Sequence, residues 1–319
     1  MELSVIIVNW NSAAYLRKCL RSVFATAGEL RFEVIVVDNA SFDGCGEMIA
    51  KEYPAVTFIP SETNLGFSGA NNLGFLHSSG RKLLFLNPDT EVHGDALRAM
   101  CAETDRLSDA GAVGTKLLNT DGTVQMSCIQ RFPTIWNLAI DADLLRDAFP
   151  GLGIWGTSSL LATQRVPVSV EVISGACLMI RREVFERVGR FTTQYFMYSE
   201  DVDLCFKCRR MGYRNYYLDR GSVVHHGGGS TKENGDGHFS AIVMRESLLK
   251  FFVLRRGPMY AALYRVSVTA VSLVRCALLA CRVLVGARGN TRLRNALSRW
   301  RSILKWSLGV RPSHAWKSQ

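Results

Sequence analysis

Short apolar runs alternate with longer segments of helical periodicity through the first 120 residues of the chain. The apolar runs are rich in Val, Ile and Phe and are mostly apolar on both faces, which is typical of strands in a parallel sheet covered by helices. The segments between them have the apolar spacing of helices. The predicted strands span residues 3–9, 32–38, 55–59, 82–87 and 111–117, and the predicted helices span residues 12–26, 44–53, 68–79 and 94–107.

This alternation predicts an α/β fold with a Rossmann-like, mostly parallel central sheet. Parallel strands need crossover connections, and right-handed helical crossovers place helices against the faces of the sheet. The alternation weakens beyond residue 120. It still predicts a strand and a helix within residues 170–189, a helix over residues 199–213, and a strand that enters a glycine-rich turn over residues 223–231.

Two of the predicted strands end in a carboxylate, Asp38 in "VVDNAS" and Asp89 in "LNPD". Ligands of doubly wound sheets bind at the carboxyl ends of the strands, so we expect both side chains at one rim. For Asp38 alone, capping of the next helix is the alternative. Asp89 follows Pro88, which holds a turn, and one carboxylate shared with diphosphate oxygens and water is the usual way to hold Mg²⁺. Asn87 offers an amide that can hydrogen-bond a ribose or a phosphate.

Two further clusters of polar residues can take part in chemistry. His225 and His226 precede three glycines, where a histidine can donate to phosphate or bind Mn²⁺, or can simply end a strand beside a loop. Glu200, Asp201 and Asp203 lie in the first turn of a predicted helix. Acids at a helix N-terminus complement the helix dipole, and the same field keeps a carboxylate ionised, as a general base requires.

The segment "NLGFSGANNLG" concentrates asparagines and glycines. The side chains of Asn64, Asn71 and Asn72 can contact a nucleotide or a sugar through amide hydrogen bonds, and the glycines permit tight turns. The segment lacks the lysine of a nucleotide triphosphatase loop. Cys205 and Cys208 form a CxxC without a second pair, which favours a core function for both.

The net charge of +10 is concentrated near the C-terminus. Residues 1–238 hold 23 Lys and Arg against 27 Asp and Glu, whereas residues 239–319 hold 15 against the single acid Glu246. We therefore predict a globular domain over residues 1–238 and a basic helical extension over residues 239–319. Nine cysteines without a regular spacing indicate reduced thiols in a reducing compartment.

An apolar stretch at residues 264–286 is interrupted by Arg265, Arg275 and Arg282. At a helical ~100° per residue the arginines fall within a sector of roughly 100°, which predicts a helix in a membrane interface with its arginines towards anionic headgroups. The alternative is a helix packed on the domain with a solvated basic face. A nucleic-acid partner is not expected, because the tryptophans suit an interfacial belt at least as well. These tryptophans are Trp300, Trp306 and Trp316.

Taken together, the motifs resemble family 2 glycosyltransferases, in particular the rhamnosyltransferase-like branch, which has the GT-A fold. They cover about residues 3–232. In chain order they are "VIIVNWN" (5–11), "VVDNAS" (37–41), "NLGFSGANNLG" (64–74), "LFLNPD" (84–89), "ISGACLMIRREVFERVGRF" (173–191), "FMYSEDVDLCFKCRRMGY" (196–213) and "HHGGGST" (225–231).

The resemblance implies a nucleotide-sugar pocket at the sheet rim. Asp38 corresponds to the acid that contacts the nucleoside base, and Val8 and Asn9 line the same pocket. Asp89 corresponds to the last acid of the family's Asp-x-Asp metal motif. Its first acid is replaced here by Asn87.

The resemblance also implies the catalytic groups of an inverting transfer. Asp201 corresponds to the catalytic base, with Glu200 beside it as the nearest rival, and His225 corresponds to the late histidine that helps to hold metal and diphosphate. The implied cofactor is Mg²⁺ or Mn²⁺. The implied donor is a nucleotide-sugar, with dTDP-rhamnose expected from the resemblance alone.

The acceptor that the resemblance implies is a glycan, or a glycan on a polyprenyl-diphosphate carrier, at the cytoplasmic face of the cell membrane. The basic C-terminal segment independently favours an anionic membrane surface. Two other classes of protein stay open at this point. One is a sugar-1-phosphate nucleotidyltransferase, although the first strand does not lead into a glycine-rich activating loop. The other is a non-catalytic adaptor that binds membrane or nucleic acid through its basic tail.

Overall fold

The apolar runs predicted as strands form the centre of a nine-stranded sheet in the computed structural model, which describes residues 1–140, 167–227, 237–285 and 290–310. Two further short strands form a separate antiparallel pair, β7 (Ile129–Gln130) and β9 (Val172–Ile173). The strands of the main sheet are β1 (Leu3–Asn9), β2 (Phe32–Asn39), β3 (Thr57–Ser61), β4 (Lys82–Leu86), β5 (Thr90–His93), β6 (Ala110–Leu118), β8 (Val168–Val170), β10 (Cys177–Arg181) and β11 (Arg214–His225).

The sheet is mostly parallel where the sequence predicted it to be. Strands β3, β2, β1 and β4 are consecutive neighbours and all parallel, and β11 runs parallel to β6. Strand β10 lies antiparallel between β4 and β6, and β5 and β8 lie antiparallel to β11. The mixed α/β architecture predicted from the sequence is therefore confirmed.

Helices flank this sheet and form the C-terminal part of the chain. The helices of the described residues are α1 (Ala13–Thr26), α2 (Cys45–Glu52), α3 (Gly66–Leu76), α4 (Ala96–Arg106), α5 (Ile135–Ala139), α6 (Arg182–Arg187), α7 (Glu200–Arg210), α8 (Gly237–Arg256), α9 (Pro258–Leu284) and α10 (Thr291–Ser307). Each apolar stripe of α1, α2 and α4 is buried, which is the packing that amphipathic spacing predicts.

The short strands β7 and β8 were not predicted from the sequence. Strand β5 was not predicted either, and only the last residues of β11 were. Both contain charged and polar positions, so their strand conformation depends on pairing with each other and with β6. The glycine-rich turn predicted after His225 continues into residues 228–231, which lie outside the described residues.

The described residues form two compact units. Residues 1–132 and 167–227 form one, and residues 133–140, 237–285 and 290–310 form the other. The second unit takes in residues 133–140, which the predicted division at residue 238 had assigned to the first domain.

The basic face predicted for the helix around residues 264–286 does not point outwards as expected. The Arg265 guanidinium donates to the backbone oxygens of Trp306 and Ser307 on α10, and the Arg275 guanidinium lies 4.5 Å from the Trp300 ring centroid. Arg282 alone of the three is exposed. The expected orientation is wrong for Arg265 and Arg275, because α10 offers them carbonyl and aromatic partners.

Candidate functional site

The first half of the rim is built where β1 and β2 end side by side. Parallel register places Asn9 next to Asp38, and the fully buried Asn9 side chain donates to Asp38 Oδ1 at 3.3 Å. The same amide donates to Ser41 Oγ and to Asp43 Oδ2, each at 3.2 Å. Among the described residues, Asn9 Oδ1 has no hydrogen-bond partner. Val8 is buried one position earlier. Asn9 and Asp38 therefore lie side by side at the carboxyl ends of β1 and β2, and the nucleotide pocket expected there stays a prediction.

Asp43 is a member of this group that sequence reasoning missed. Its carboxylate accepts from the Ala13 backbone N at 2.8 Å and the Cys45 backbone N at 3.2 Å, so it ties the starts of α1 and α2 to the rim. Burial by itself raises the pKa of Asp43, but these bonds and the one from Asn9 outweigh it and lower the pKa. The ligand atoms of Asp38, Asp43 and Cys45 lie within 4.8 Å of one another. Burial raises the pKa of Cys45, so its sulfur is a thiol and a poor metal ligand.

The asparagine-rich segment is fastened to the rim by its own amides. Asn39 Nδ2 donates to Asn64 Oδ1 at 2.8 Å, and the same oxygen accepts from the Gly66 backbone N at 2.9 Å. Asn72 Nδ2 donates to the Phe191 backbone oxygen at 2.9 Å, and Asn72 Oδ1 accepts from the Phe191 N at 3.2 Å. These contacts show that both amides position the loop. The direct contact with a nucleotide-sugar that the sequence predicted for Asn64 and Asn72 stays a prediction.

The second half of the rim is formed where β4 ends and β11 returns. Pairing of β11 with β5 aligns His225 with Thr90 and brings the His225 Nε2 within 3.3 Å of Asp89 Oδ1. The Asn87 side-chain nitrogen lies 3.3 Å from the same ring nitrogen. His226 turns away and contacts Glu91 Oε1 at 2.8 Å. Of the two adjacent histidines, His225 alone faces the carboxylate at the end of β4.

Gln125, in the turn after β6, was not identified from the sequence. Its Oε1 lies 2.8 Å from His225 Nδ1, and its Nε2 donates to Asn119 Oδ1 at 3.3 Å, which orients the amide. Because the Gln125 oxygen only accepts, His225 carries its hydrogen on Nδ1. The other ring nitrogen, Nε2, faces the Asp89 oxygen and the Asn87 amide nitrogen. No short-range sequence signal links positions 125 and 225, so only the fold reveals this contact.

The three acids at the start of α7 have different environments. Asp203 is fully buried and accepts from Thr192 Oγ1 at 2.7 Å and from the Tyr195 hydroxyl at 3.2 Å. Those contacts give Asp203 a structural function. Asp201 and Glu200 carry no comparable set of side-chain donors among the described residues.

The side chain of Asp201 is connected to the end of β4 through the backbone of two consecutive residues, Gly175 and Ala176. Its Oδ2 accepts from the Gly175 backbone N at 2.8 Å, and its Oδ1 accepts from the Val202 backbone N at 2.8 Å. The next residue in the turn, Ala176, accepts at 3.0 Å from the backbone N of Asn87. A Cβ on Gly175 would lie 3.2 Å from the Asp201 Cβ, so the close approach favours glycine. The carboxylate of Asp201 thus lies beside the turn that supports the end of β4.

Glu200 and Asp201 have pKa values that their burial raises. Burial and then the charge of Asp201 raise the pKa of Glu200 to about 8 from its ordinary 4.5. Burial also raises the pKa of Asp201, while the backbone N–H groups of Gly175 and Val202 oppose the rise. Glu200 therefore holds its proton at pH 7, whereas the carboxylate of Asp201 accepts two backbone N–H bonds that oppose the effect of burial. Neighbouring carboxyl groups whose environments separate their pKa values are typical of sites that use one of them as a base.

Glu200→Gln is expected to reduce the pH dependence of stability. With a pKa of about 8 in the fold and an ordinary value of 4.5, Glu200 binds more protons when folded, so its contribution to stability falls as pH rises between these values. Thermal unfolding of the variant from pH 4.5 to 8.5 should show a shallower decline than the wild type and a higher Tm at pH 8. The exposed Glu183→Gln is the control, and equal slopes for wild type and Glu200→Gln would contradict the assignment.

Four of the residues predicted from the sequence lie along one rim of the first unit. They are Asp38, Asp89, Asp201 and His225. Strand order places the end of β1 between the ends of β2 and β4, so Asp38 and Asp89 share the carboxyl edge of the parallel strands. His225 contacts Asp89 directly, and Asp201 is connected through the turn before β10. Asp38 and Asp89 are each 8% exposed, which leaves them nearly enclosed but reachable from the rim. This arrangement can bind an anionic nucleotide near Asp89 and His225 and hold a base beside it.

Comparison with known sequences places relatives of this chain among sugar transferases. The family described as glycosyl transferase family 2 matches residues 4–189. The N-acetylglucosaminyl-diphospho-decaprenol L-rhamnosyltransferase of Mycobacterium tuberculosis is 30% identical over 253 residues, which cover 75% of this chain and 80% of the relative. The rhamnosyltransferase WbbL of Escherichia coli is 25% identical over 231 residues, which cover 70% of this chain and 82% of the relative.

Solved structures share the fold. The mannosyltransferase PcManGT from Pyrobaculum calidifontis, in complex with GDP-Man and Mn²⁺, aligns with a TM-score of 0.56 at 18% identity over 97% of this chain and 86% of that protein. Residues 1–349 of S. aureus TarS in complex with UDP align with a TM-score of 0.51 at 16% identity over 97% of this chain and 92% of that chain. The GT-A fold and the rhamnosyltransferase-like resemblance inferred from the motifs are confirmed.

Proposed function

Because this chain belongs to glycosyl transferase family 2 and is a glycosyltransferase, we propose that it transfers a sugar from a nucleoside diphosphate to an acceptor hydroxyl with inversion at the anomeric carbon. The observation that carries the proposal is the connection of the Asp89–His225 pair to Asp201 through the turn at Gly175. This connection supports the proposal that an anion-binding end and a general base share one rim.

The nucleoside would bind at the ends of β1 and β2. Asp38 accepts from Asn9 but keeps acceptor capacity for the N–H groups of a base. The buried Asn9 Oδ1, unpartnered among the described residues, offers a second acceptor. Val8, the buried residue before Asn9 on β1, is the apolar residue that the resemblance assigns to the same pocket. These groups suit the polar edge and apolar face of a nucleobase.

The residues around Asp89 fit a divalent ion. Asp89 Oδ1 and His225 Nε2 lie 3.3 Å apart, so both could bind one ion once Nε2 offers its lone pair. Asn87 contributes an amide and no charge, so diphosphate oxygens and water would complete the ligand set. Mg²⁺ or Mn²⁺ held there would stabilise the negative charge of the departing diphosphate.

Asp201 would act as the base. Its carboxylate accepts the proton of the acceptor hydroxyl while that oxygen attacks the anomeric carbon from the face opposite the leaving group. The bonds from Gly175 and Val202 hold the carboxylate in one orientation. Glu200, which is protonated at pH 7, cannot accept that proton.

The donor and acceptor follow from the named relatives and are part of the proposal. Two relatives are named rhamnosyltransferases, so we propose dTDP-rhamnose as donor. The Mycobacterium tuberculosis relative is named for a diphospho-decaprenol acceptor, so we propose a glycan on a polyprenyl diphosphate as acceptor. Such an acceptor is membrane-bound, so a peripheral position on the cytoplasmic face of an anionic cell membrane suits both it and the basic C-terminal unit.

The proposed function is tested by the product that the purified protein releases. Incubation with a panel of nucleotide-sugars and a lipid-linked acceptor should release nucleoside diphosphate only when acceptor and Mg²⁺ or Mn²⁺ are present. The alternative of a sugar-1-phosphate nucleotidyltransferase predicts pyrophosphate release from a nucleoside triphosphate instead. Nucleotide-sugars that bind should raise the Tm, and the strongest stabilisation should identify the donor.

Gln125→Leu is expected to weaken metal-dependent binding of nucleoside diphosphate by about 10–100-fold. The change removes the acceptor that holds the hydrogen of His225 on Nδ1. Calorimetric titration with Mn²⁺ and nucleoside diphosphate measures the affinity. The ¹⁵N shifts of His225 in metal-free protein report the tautomer. Gln125→Glu keeps an acceptor and should restore both readouts, and an unchanged tautomer in Gln125→Leu would contradict the assigned contact.

A further inference from the structure

The outward side of α9 is apolar along nearly its whole length. The exposed residues recur every three or four positions, as one face of a helix requires. They form what we term the outer stripe, which spans about 25 residues or ~38 Å of helix. Its members are Met259, Ala262, Leu263, Val266, Ala270, Leu273, Val274, Ala277, Leu278, Cys281 and Leu284.

The outer stripe contains none of the three arginines of α9. At ~100° per residue its members occupy a sector of roughly 160°, and the three arginines of α9 lie outside that sector. Arg265 and Arg275 are engaged with α10 on the other side, and Arg282 is exposed at its edge. A helix packed on a protein in water shows the reverse arrangement, with its apolar side inwards and its charges outwards.

The size of the exposed surface indicates a partner. The large apolar side chains of the outer stripe are between 54% and 78% exposed. Soluble proteins rarely expose contiguous apolar patches beyond a few hundred Å², and larger ones mark sites that contact protein or membrane. The stripe therefore needs an apolar surface to cover it.

Charge distinguishes a lipid surface from a second copy of the chain. Residues 239–319 hold 15 Lys and Arg against Glu246 alone, so two copies facing each other through α9 would bring strongly cationic surfaces together. An anionic bilayer attracts the same charges at about 1 kcal/mol for each Lys or Arg near the surface. The exposed basic residues of α8, α9 and α10 are Lys250, Arg256, Arg282, Arg292, Arg294, Arg299, Arg301 and Lys305.

The helix is long and apolar enough to cross a membrane by length and composition, with a mean hydropathy of 1.8. Crossing would carry Arg265 and Arg275, with the α10 residues that hold them, into the hydrocarbon. Buried charge there is strongly unfavourable. A helix lying along the surface needs only its apolar side in the acyl boundary, to a depth of about 5–10 Å.

We propose that the outer stripe lies in the headgroup–acyl boundary of an anionic bilayer, with α9 parallel to the membrane plane and its arginines directed towards α10. The proposal rests on the proposed function in one respect, which is that the protein acts at a membrane. The contact surface itself is independent of the sugar-transfer chemistry. It replaces the sequence-based expectation that arginines make the membrane contact.

The first test changes the stripe and measures vesicle binding. Leu273→Asp combined with Leu278→Asp should lower co-flotation of the full-length protein with vesicles of phosphatidylcholine and phosphatidylglycerol by about tenfold or more, because each change moves a charge into the apolar boundary. Leu76→Asp changes an equally exposed leucine on α3 and should bind vesicles normally. Unchanged flotation of the double variant would overturn the proposal.

The same variants separate this proposal from the proposed function. Nucleoside diphosphate should stabilise wild type and both variants against thermal unfolding equally, because none of the changed residues is one of the proposed site residues. If the double variant fails to bind vesicles but keeps this stabilisation, the stripe is supported whatever the reaction proves to be. If nucleoside diphosphate did not stabilise the wild type, this would count against the proposed function and would not affect the vesicle result.

The second test measures depth at a native side chain. Cys281 is exposed on the stripe, Cys276 is partly exposed, and the other seven cysteines are buried. In a Cys276→Ala background, a nitroxide on Cys281 should become more accessible to oxygen and less accessible to a water-soluble nickel complex when vesicles are added. A label on Ser298→Cys of α10, in a background without Cys276 and Cys281, should stay accessible to nickel. A Cys281 label that stays in water, or a dimer that forms through the stripe without binding vesicles, would overturn the proposal.

Discussion

Replacing Asp201 with asparagine is expected to lower the rate of sugar transfer by about 10³-fold or more, while the protein still binds its nucleotide-sugar. The amide keeps the size of the side chain and its Oδ1 can still accept from one backbone N–H, so the turn at Gly175 should persist. The change removes the carboxylate that accepts the proton of the acceptor hydroxyl. Single-turnover transfer rates and donor affinity, measured on the same preparation, separate the two effects.

Glu200→Gln is the matched control for that experiment. Glu200 is adjacent and buried but protonated at pH 7, so its amide variant should keep most of the transfer rate. A variant of Asp201 that transferred sugar normally, together with an inactive Glu200→Gln, would reverse the assignment of the base. The pair therefore tests the protonation pattern as well as the residue.

Asp89→Ala is expected to abolish the metal dependence of donor binding, with a loss of affinity above ~100-fold in the presence of Mn²⁺. Second-shell changes at metal sites already lower affinity by about 10–100-fold, and Asp89 is the carboxylate expected to contact the ion. The variant leaves His225 Nε2 without the oxygen that faces it at 3.3 Å. Calorimetry of nucleoside diphosphate binding with Mn²⁺ and with EDTA measures the difference directly.

Glu91→Gln provides the control, since Glu91 lies two residues further on and contacts His226 instead of His225. It should keep the metal dependence of the wild type. If Asp89→Ala showed the same ratio of affinities with Mn²⁺ and with EDTA as the wild type, the ion would not be held at the end of β4.

Several features of the rim were predictable because their signals are local. Asp38 and Asp89 each follow an apolar run, and the ends of neighbouring parallel strands meet at one edge. The acids at the start of α7 are likewise visible as a helix N-terminus. Their separate functions were not visible, because Asp203 differs from Asp201 only in the partners that other segments supply.

Apolar periodicity did not predict the contacts between distant segments, although the family resemblance assigned His225 and Asp89 to one metal site. His225 reaches Asp89 because β11 pairs with β5, and β5 has only four residues and a mixed pattern. Gln125 reaches His225 from a turn 100 positions earlier. Asp43 and the loop amides of Asn64 form their bonds only once the strand ends are adjacent. Each of these contacts depends on strand order and register, which apolar periodicity does not encode.

The sequence by itself determined the α/β class, the strand ends that carry acids, the family resemblance and the concentration of positive charge near the C-terminus, because each is written in consecutive residues or short spacings. Only the tertiary structure decided which glutamine contacts His225, which acid of α7 is held by side-chain donors, and which side of α9 is exposed. The rotation of α9 shows the reason. The spacing of its arginines and leucines is compatible with either side facing outwards. The contacts of Arg265 and Arg275 with α10 determine that the leucine side is the exposed one.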